Sequence, residues 1–178
     1  MAKTQCLARV REVRHDIPNV ISIDFERCAM PPITSVDDHT KIVLPSDGSD
    51  LRQPVSDDAA QPLLRTYTRR RWFKDGSWGT DVLEFGPESG GEAHHGPGAR
   101  WSQAVQPGDQ VTVRGPGGHW QMPGDISHLL AVADAVALPA VANALAALPT
   151  SAQATIIRVD GHHSYPLTLT DRVTVVAA

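Results

Sequence analysis

The chain has 178 residues, 41% of them hydrophobic and 20% charged, which is the composition of an ordinary globular protein long enough to bury a core. Its net charge of -4 argues against a general affinity for nucleic acids. The start of the chain lacks a signal-peptide core, no apolar run reaches membrane-spanning length, and Cys6 and Cys28 form no CxxC pair. We therefore expect a cytoplasmic protein that does not associate with membranes.

Short β-type segments separated by turn residues fill the first two thirds of the chain. Apolar and polar residues alternate in several of them, as in strands with one buried face. Strands are predicted at 6–13, 20–25, 39–45, 65–71, 81–85 and 110–114, and a short helix at 99–105. Many short strands joined by turns indicate a small antiparallel barrel.

The pattern changes near Asp125. A strand at 127–132, an alanine-rich helix at 137–148 and a strand at 154–159 follow one another, and a last strand is predicted at 173–175. A strand, a helix and a strand in this order begin a parallel α/β domain, although only one helix is available to cover a sheet that needs two covered faces. We predict a barrel domain at 1–124 and a shortened α/β domain at 125–178. The exposed edge of its sheet favours a homo-oligomer.

One predicted strand, residues 65–71, combines an aromatic ring, two hydroxyls and four guanidiniums. Side chains two residues apart share a face of a strand, so Arg65 and Tyr67 point the same way. Tyr67 could stack on a flat conjugated ring, Thr68 could hydrogen-bond its edge, and Arg65 could pair with phosphate. The alternative is a solvated edge strand whose arginines prevent aggregation.

A second candidate anion site is the start of the helix at 99–105. The N–H groups of Gly98, Ala99 and Arg100 open this helix, where a pyrophosphate could bind, although an ordinary helix start has the same sequence features. No metal site is predicted, because the adjacent His94 and His95 lie in a glycine-rich loop without ligand spacing.

Five segments, in this order, resemble motifs of the siderophore-interacting proteins, an FAD-binding branch of the ferredoxin-reductase-like superfamily. The motif R-x-Y-T-x-R is matched at 65–70, and G-P-G-G at 115–118. Residues 38–45 resemble the family's strand before the flavin motif. Residues 96–101, followed by 107–109, resemble G-P-A-S-R-W and P-G-D. Residues 133–140 resemble G-D-E-T-A-L-P-A.

The resemblance implies a six-stranded antiparallel Greek-key flavin-binding barrel followed by a shortened, partial nicotinamide-binding α/β domain. It implies an FAD-dependent oxidoreductase that passes electrons from NAD(P)H or an electron-donor protein through the flavin to a small-molecule Fe(III) chelate, a ferric siderophore. Tyr67 and Thr68 are then the catalytic residues. The implied FAD-binding residues are Arg65, Thr66, Tyr67, Thr68, Gly96, Gly98, Ala99, Arg100 and Gly117. The resemblance also implies a basic rim that attracts the anionic chelate, formed by Arg69, Arg70, Arg71 and Lys74. Alternatively, these residues are an ordinary charged strand face.

The sequence departs from the family pattern at three positions. Ala99 replaces a serine of the phosphate site, and Ala135 and Val136 replace a glutamate and a threonine where nicotinamide and flavin should meet. These departures count against direct NAD(P)H binding and leave FAD binding intact. The alternative function is a flavin-barrel scaffold reused without redox turnover, which binds a small molecule in the flavin cleft, for example in a biosynthetic enzyme or a binding module.

Overall fold

The structure is a computed structural model that describes residues 4–31, 35–47, 49–56, 61–84, 96–159 and 165–177. Its first six strands pair antiparallel and close into a barrel. Their bounds are Thr4–Ile17 (β1), Val20–Phe25 (β2), His39–Leu44 (β3), Leu63–Trp72 (β4), Trp78–Leu83 (β5) and Gln110–Gly117 (β6). Phe85, the predicted end of the strand at 81–85, lies outside the described residues, and so do His94 and His95.

The order of strands around the barrel is β1-β2-β5-β4-β3-β6. Strands β3, β4 and β5 are sequential neighbours and β6 returns beside β3, which is the Greek-key arrangement. The predicted antiparallel barrel is therefore confirmed. Strand β1 is longer than predicted because Thr4–Arg9 pairs with β6 while Val10–Ile17 pairs with β2, with a register shift after Val10.

Among the described residues, three aromatic side chains lie in the otherwise aliphatic core of the barrel. Phe25 of β2 and Trp78 of β5 stack with ring centroids 4.4 Å apart, and both are fully buried. Helix α1 (Pro97–Ala104) begins with a proline, whose missing N–H costs nothing in a first helical turn, and it inserts the fully buried Trp101 into the same cluster. The burial of Trp101 fixes the start of α1 over β4.

The second part of the chain forms a three-stranded parallel sheet in the order β7-β8-β9. Its elements are β7 (His128–Ala133), a 3₁₀ turn (Ala135–Ala137), α2 (Leu138–Ala146), β8 (Gln153–Arg158) and β9 (Val173–Ala177). The buried side of α2 packs on this sheet and against β4, and the apolar cluster that it joins continues into Val20 and Leu83 of the barrel and Val36 of the segment before β3. The predicted domain boundary falls between β6 and β7 and stays a prediction.

One face of the parallel sheet carries exposed apolar side chains. Leu130, Val132 and Val176 are exposed there, and β7 and β9 are its edge strands. The predicted self-association stays a prediction. Within the described residues, no helix has the length and apolar character required to cross a bilayer.

Candidate functional site: a cleft between the barrel and the second helix

A cleft of about 260 Å³ lies where β4, β5, the start of α1 and the start of α2 meet. Its walls contain both predicted catalytic residues and all predicted FAD-binding residues except Arg100 and Gly117. The lining side chains and backbone belong to Arg65, Thr66, Tyr67, Thr68, Asp81, Val82, Leu83, Gly96, Gly98, Ala99, Val136 and Pro139. The tertiary structure therefore brings together four segments of the chain, from β4, β5, the start of α1 and the start of α2.

Gly98 allows α1 to approach β4. A Cβ atom at this position would lie 2.4 Å from Tyr67 Oη and 3.2 Å from Arg65 Cγ, which is closer than side chains normally pack. Tyr67 and Arg65 thus both approach Gly98. The Tyr67 ring lies 6.3 Å from the Trp101 ring, at an interplanar angle of 32°. Burial raises the pKa of Tyr67 to about 12 against the opposing charge of Arg65, so its phenol is neutral at physiological pH.

The anion-attracting end of the cleft consists of Arg65 and the first turn of α1. Arg65 has no carboxylate within ion-pair distance among the described residues, and its guanidinium donates to the Leu64 carbonyl at 2.9 Å. Helix α1 has no side-chain cap and no acidic residue in its first turn, so its free N–H groups keep their positive potential. A negatively charged group is stabilised there by both features.

Thr68 presents a hydroxyl to the cleft from a fixed backbone. Its carbonyl accepts a hydrogen bond of 2.7 Å from Thr80 Oγ1, which anchors this part of β4 to β5. No partner for the Thr68 hydroxyl occurs in the described part of the chain, so it is available to a bound molecule.

Among the described residues that line the cleft, Asp81 is the carboxylate, and no sequence motif predicted it. Its oxygens accept hydrogen bonds from Ser22 Oγ at 2.7 Å and Tyr165 Oη at 2.5 Å, and it pairs with Arg71. Burial alone would raise the pKa of Asp81, but Arg71 and the two hydroxyl donors outweigh burial and hold this pKa below its usual value. Tyr165 thereby ties the segment before β9 to the cleft.

Arg71 continues this network beneath the barrel surface. Its Nε donates to Asp24 Oδ1 at 2.8 Å, and Asp24 Oδ2 accepts from Arg14 at 2.7 Å. Both carboxylates are nearly inaccessible, and Arg71 itself is about one quarter exposed. The charge of Arg71 therefore balances buried acids. Acidic residues inside otherwise apolar strands were the signal in the sequence that could have indicated this network.

Arg69, also predicted for the basic rim, lies inside the protein. Its side chain is 0% exposed and pairs with Asp38 at 2.8 Å, while its guanidinium stacks on the Trp72 ring at 4.2 Å. Burial raises the pKa of Asp38, and Arg69 opposes this rise. The other predicted rim residues differ: Arg70 is half-buried beside α2, and Lys74 is exposed near the β4–β5 turn.

Arg100 and Gly117 lie outside the cleft walls. Arg100 is on the exposed side of α1. Gly117, at the end of β6, packs against His39, whose Nε2 would lie 2.2 Å from a Cβ atom at this position. Their predicted contacts with FAD stay predictions. No group of three potential metal ligands was found within the described ranges.

Comparison with known proteins now identifies the family. Residues 9–120, which include the whole arginine-bearing strand and α1, match the siderophore-interacting FAD-binding domain. The chain belongs to this family. The expected resemblance and the expected FAD cofactor are thereby confirmed for this siderophore-interacting family member.

Solved structures support the same family. A siderophore utilization protein from T. fusca superposes with a TM-score of 0.78 and 26% identity, covering 99% of this chain and 69% of that chain. The siderophore-interacting protein SipS from Aeromonas hydrophila gives a TM-score of 0.75 and 25% identity, with coverage of 99% and 72%. The ferredoxin reductase in carbazole 1,9a-dioxygenase, at 17% identity and a TM-score of 0.67, shares the fold over 99% of this chain and 50% of its own. A search of curated proteins found no match.

The residues of the cleft fit FAD. The space that a Cβ atom at Gly98 would fill is kept open beside the half-buried Tyr67, and Arg65 has no acidic partner in the described residues. The uncapped α1 start lies at the same end of the cleft as Arg65. An aromatic face next to an anion site matches a cofactor that joins a flat ring to a pyrophosphate. The family member is therefore a flavin-binding, reductase-like protein.

Proposed function

We propose that this protein is an FAD-dependent enzyme that reduces chelated Fe(III) in the manner of a ferric-siderophore reductase. The observation that carries the proposal is the convergence of Arg65, Tyr67, Thr68 and Gly98 on one cleft in a member of the siderophore-interacting family. Two of the structural relatives are described as a siderophore utilization protein and a siderophore-interacting protein.

The residues have distinct roles in this proposal. Arg65 and the N–H groups of the first turn of α1 hold the pyrophosphate, Tyr67 packs on the ring, and the Thr68 hydroxyl hydrogen-bonds the ring edge. Leu83, Val136 and Pro139 exclude water from the opposite wall. FAD, when bound, takes up two electrons with two protons and delivers the electrons singly to two Fe(III) ions.

The basic rim is narrower in this proposal than in the sequence-based prediction. Arg69 and Arg71 neutralise buried carboxylates, so Arg70 and Lys74 remain to attract an anionic chelate. Long-range attraction of this kind is weakened by salt. The electron donor is NAD(P)H or a partner protein, and Val136 on the α/β wall of the cleft presents an apolar side chain where the donor approaches.

The first experiment measures FAD binding. We expect Arg65→Ala to raise the Kd for FAD roughly 10- to 150-fold, because a charge-assisted hydrogen bond worth roughly 1.5–3 kcal/mol is removed. Arg9→Ala is the matched control, since Arg9 is an exposed arginine of β1 with only a long ion pair to Glu26. Unchanged affinity in Arg65→Ala would contradict the phosphate assignment.

The second experiment tests turnover. The FAD-loaded protein is photoreduced without oxygen and mixed with a ferric chelate, and Fe(II) is measured with a chromogenic chelator. Two Fe(II) for each reoxidised flavin support the reductase. A protein that binds FAD but yields no Fe(II) with hydroxamate, catecholate or citrate chelates supports the non-redox scaffold instead. Bleaching of the oxidised flavin by NADH or NADPH would identify the donor.

A further inference from the structure

A second cleft, of about 400 Å³, lies at the opposite end of α2 from the flavin cleft. Its walls come from β4, the segment before β3 and the last turn of α2, and it shares no lining residue with the flavin cleft. We call it the α2 pocket and define it by Ser35, Val36, Asp38, Arg70, Trp72 and Asn143. Asn143 lies one helical turn, about 6 Å, beyond Pro139 of the flavin cleft.

Two buried oxygens of the α2 pocket have no hydrogen-bond partner among the described residues. Asp38 Oδ1 accepts from Arg69 at 2.8 Å, whereas Asp38 Oδ2 has no partner of good geometry in the described part of the chain. The same holds for the buried Ser35 hydroxyl within the described ranges. The Asp38 side chain is 5% exposed, and an unbonded buried carboxylate oxygen is costly. The Trp72 side chain lies near the Asp38 carboxylate and lowers its pKa, but no Trp72–Asp38 hydrogen bond of good geometry occurs among the described residues. An incoming O–H or N–H group would satisfy Asp38 Oδ2.

Arg70 is the unbalanced charge of the α2 pocket. Its neighbours Arg69 and Arg71 both pair with carboxylates, but Arg70 has no carboxylate within 4 Å among the described residues. Its Nη1 donates only a long contact of 3.5 Å to Asn143 Oδ1, and its side chain also lies beside the Tyr165 hydroxyl. The Arg69–Asp38 pair is neutral as a unit, so the α2 pocket has a net positive charge that suits one anionic group.

Trp72 supplies a flat apolar wall. One face of its ring is covered by the Arg69 guanidinium at 4.2 Å, and the residue is nevertheless 41% exposed. Trp72 lines the α2 pocket together with the apolar side chains of Val36, Ala146 and Ala147. A planar ring packs on such a wall more favourably than a flexible chain.

We propose that the α2 pocket binds a small aromatic carboxylic acid that carries a second O–H or N–H donor. The carboxylate pairs with Arg70, the ring packs on Trp72, and the donor reaches Asp38 Oδ2. The volume of the α2 pocket lies in the range of small-molecule sites. This site is additional to the flavin cleft and does not depend on the proposed reductase activity.

Calorimetric titration with four simple probes tests each contact. The probes are 3-hydroxybenzoate, 4-hydroxybenzoate, benzoate without the donor, and phenol without the acid. We expect at least one hydroxybenzoate to bind tenfold or more tightly than both benzoate and phenol, because each missing group forfeits a charge-assisted hydrogen bond. Changing the probe tests the Asp38 contact without replacing Asp38. Replacement of Asp38 would leave the buried Arg69 without its ion-pair partner.

Protein variants locate the binding. Arg70→Gln should reduce the affinity for the hydroxybenzoates to the level that phenol shows with the wild type. Trp72→Leu should weaken the binding of all four probes. Arg52→Gln and Phe73→Leu are the matched controls, because Arg52 is an exposed arginine and Phe73 is as exposed as Trp72 but lies outside the α2 pocket. Circular dichroism verifies that each variant is folded. Equal binding of hydroxybenzoates and benzoate, no binding at millimolar concentrations, or binding that survives both variants would overturn the proposal.

Discussion

Replacement of Arg71 by methionine tests whether the buried ion pairs of Arg71 with Asp24 and Asp81 stabilise the strands that form the flavin cleft. Methionine keeps most of the apolar stem of Arg71 but removes the guanidinium that joins Asp24 to Asp81. Both carboxylates are then buried with fewer partners. Loss of one member of a buried ion pair typically costs about 3–5 kcal/mol. Arg14 still serves Asp24, and Ser22 and Tyr165 still serve Asp81, so we expect the lower end, about 3 kcal/mol.

The pH dependence gives the sign of the effect. In the wild type, folding holds the pKa of Asp81 below its usual value, so this carboxylate stabilises the fold above its unfolded pKa and loses that contribution as the pH falls through the folded pKa. In Arg71→Met, the guanidinium no longer lowers the pKa of Asp81, so this pKa rises relative to the wild type although Ser22 and Tyr165 still donate to the carboxylate. The variant should therefore be most destabilised at neutral pH, and its deficit should shrink at about pH 4, where aspartate takes up a proton.

Urea unfolding at neutral and acidic pH measures both quantities. Arg11→Met is the control, because Arg11 forms an exposed ion pair with Asp75, and exposed pairs contribute little to stability. Arg71→Lys should lie between Arg71→Met and the wild type, since a single ammonium cannot bridge two carboxylates as a guanidinium does. An Arg71→Met deficit no larger than that of Arg11→Met, or one that does not change with pH, would refute the argument.

Three further outcomes are expected. Gly98→Ala should leave the melting temperature near that of the wild type, because the atom displaced by the new Cβ is the far end of the Tyr67 side chain. The displaced ring should lose contact with the flavin, so we expect FAD binding to weaken roughly 2- to 12-fold in a fluorescence titration. An unchanged Kd for FAD would contradict this prediction. Tyr165→Phe leaves one oxygen of Asp81 without its donor and should lower the free energy of unfolding by about 1–3 kcal/mol in urea, and a smaller loss would show that this bond is dispensable. The pKa values of Tyr67 and Tyr165 are both raised, chiefly by burial, so folding is favoured below the unfolded pKa of about 10 and this contribution is lost as the pH rises through the folded values. Tyrosinate absorbance at pH 10 should consequently appear only after denaturation, and a native signal there would count against the burial of both rings.

Many of the strands and helices could be predicted because their signals lie in short, contiguous stretches of the sequence. Alternating segments and turn residues placed the six barrel strands, and the helix at 137–148 was found as a 3₁₀ turn followed by α2. The cleft residues Tyr67, Thr68 and Gly98 were also within reach, because their motifs are short and contiguous. Element boundaries shifted where a strand has two partners, as β1 does.

The roles of the arginines could not be predicted, because they depend on partners far away in the sequence. Simple alternation gives Arg69 and Arg71 the same environment. In the structure the pairing of β4 with β5 shifts its register between these two residues, and they reach different carboxylates, Asp38 for Arg69, and Asp24 with Asp81 for Arg71. Nothing in a run of three arginines indicates that only the middle one lacks an acidic partner among the described residues.

The sequence by itself determined the strand and helix content, the family motifs and the chemical character of the FAD site, because each of these depends on residues close together in the chain. The tertiary structure decided which charges are neutralised and which remain available, since ion pairing is set by distances between strands that close a barrel. It also decided that the start of α2 closes the flavin cleft while its end, with Trp72 and Asp38, forms a second pocket.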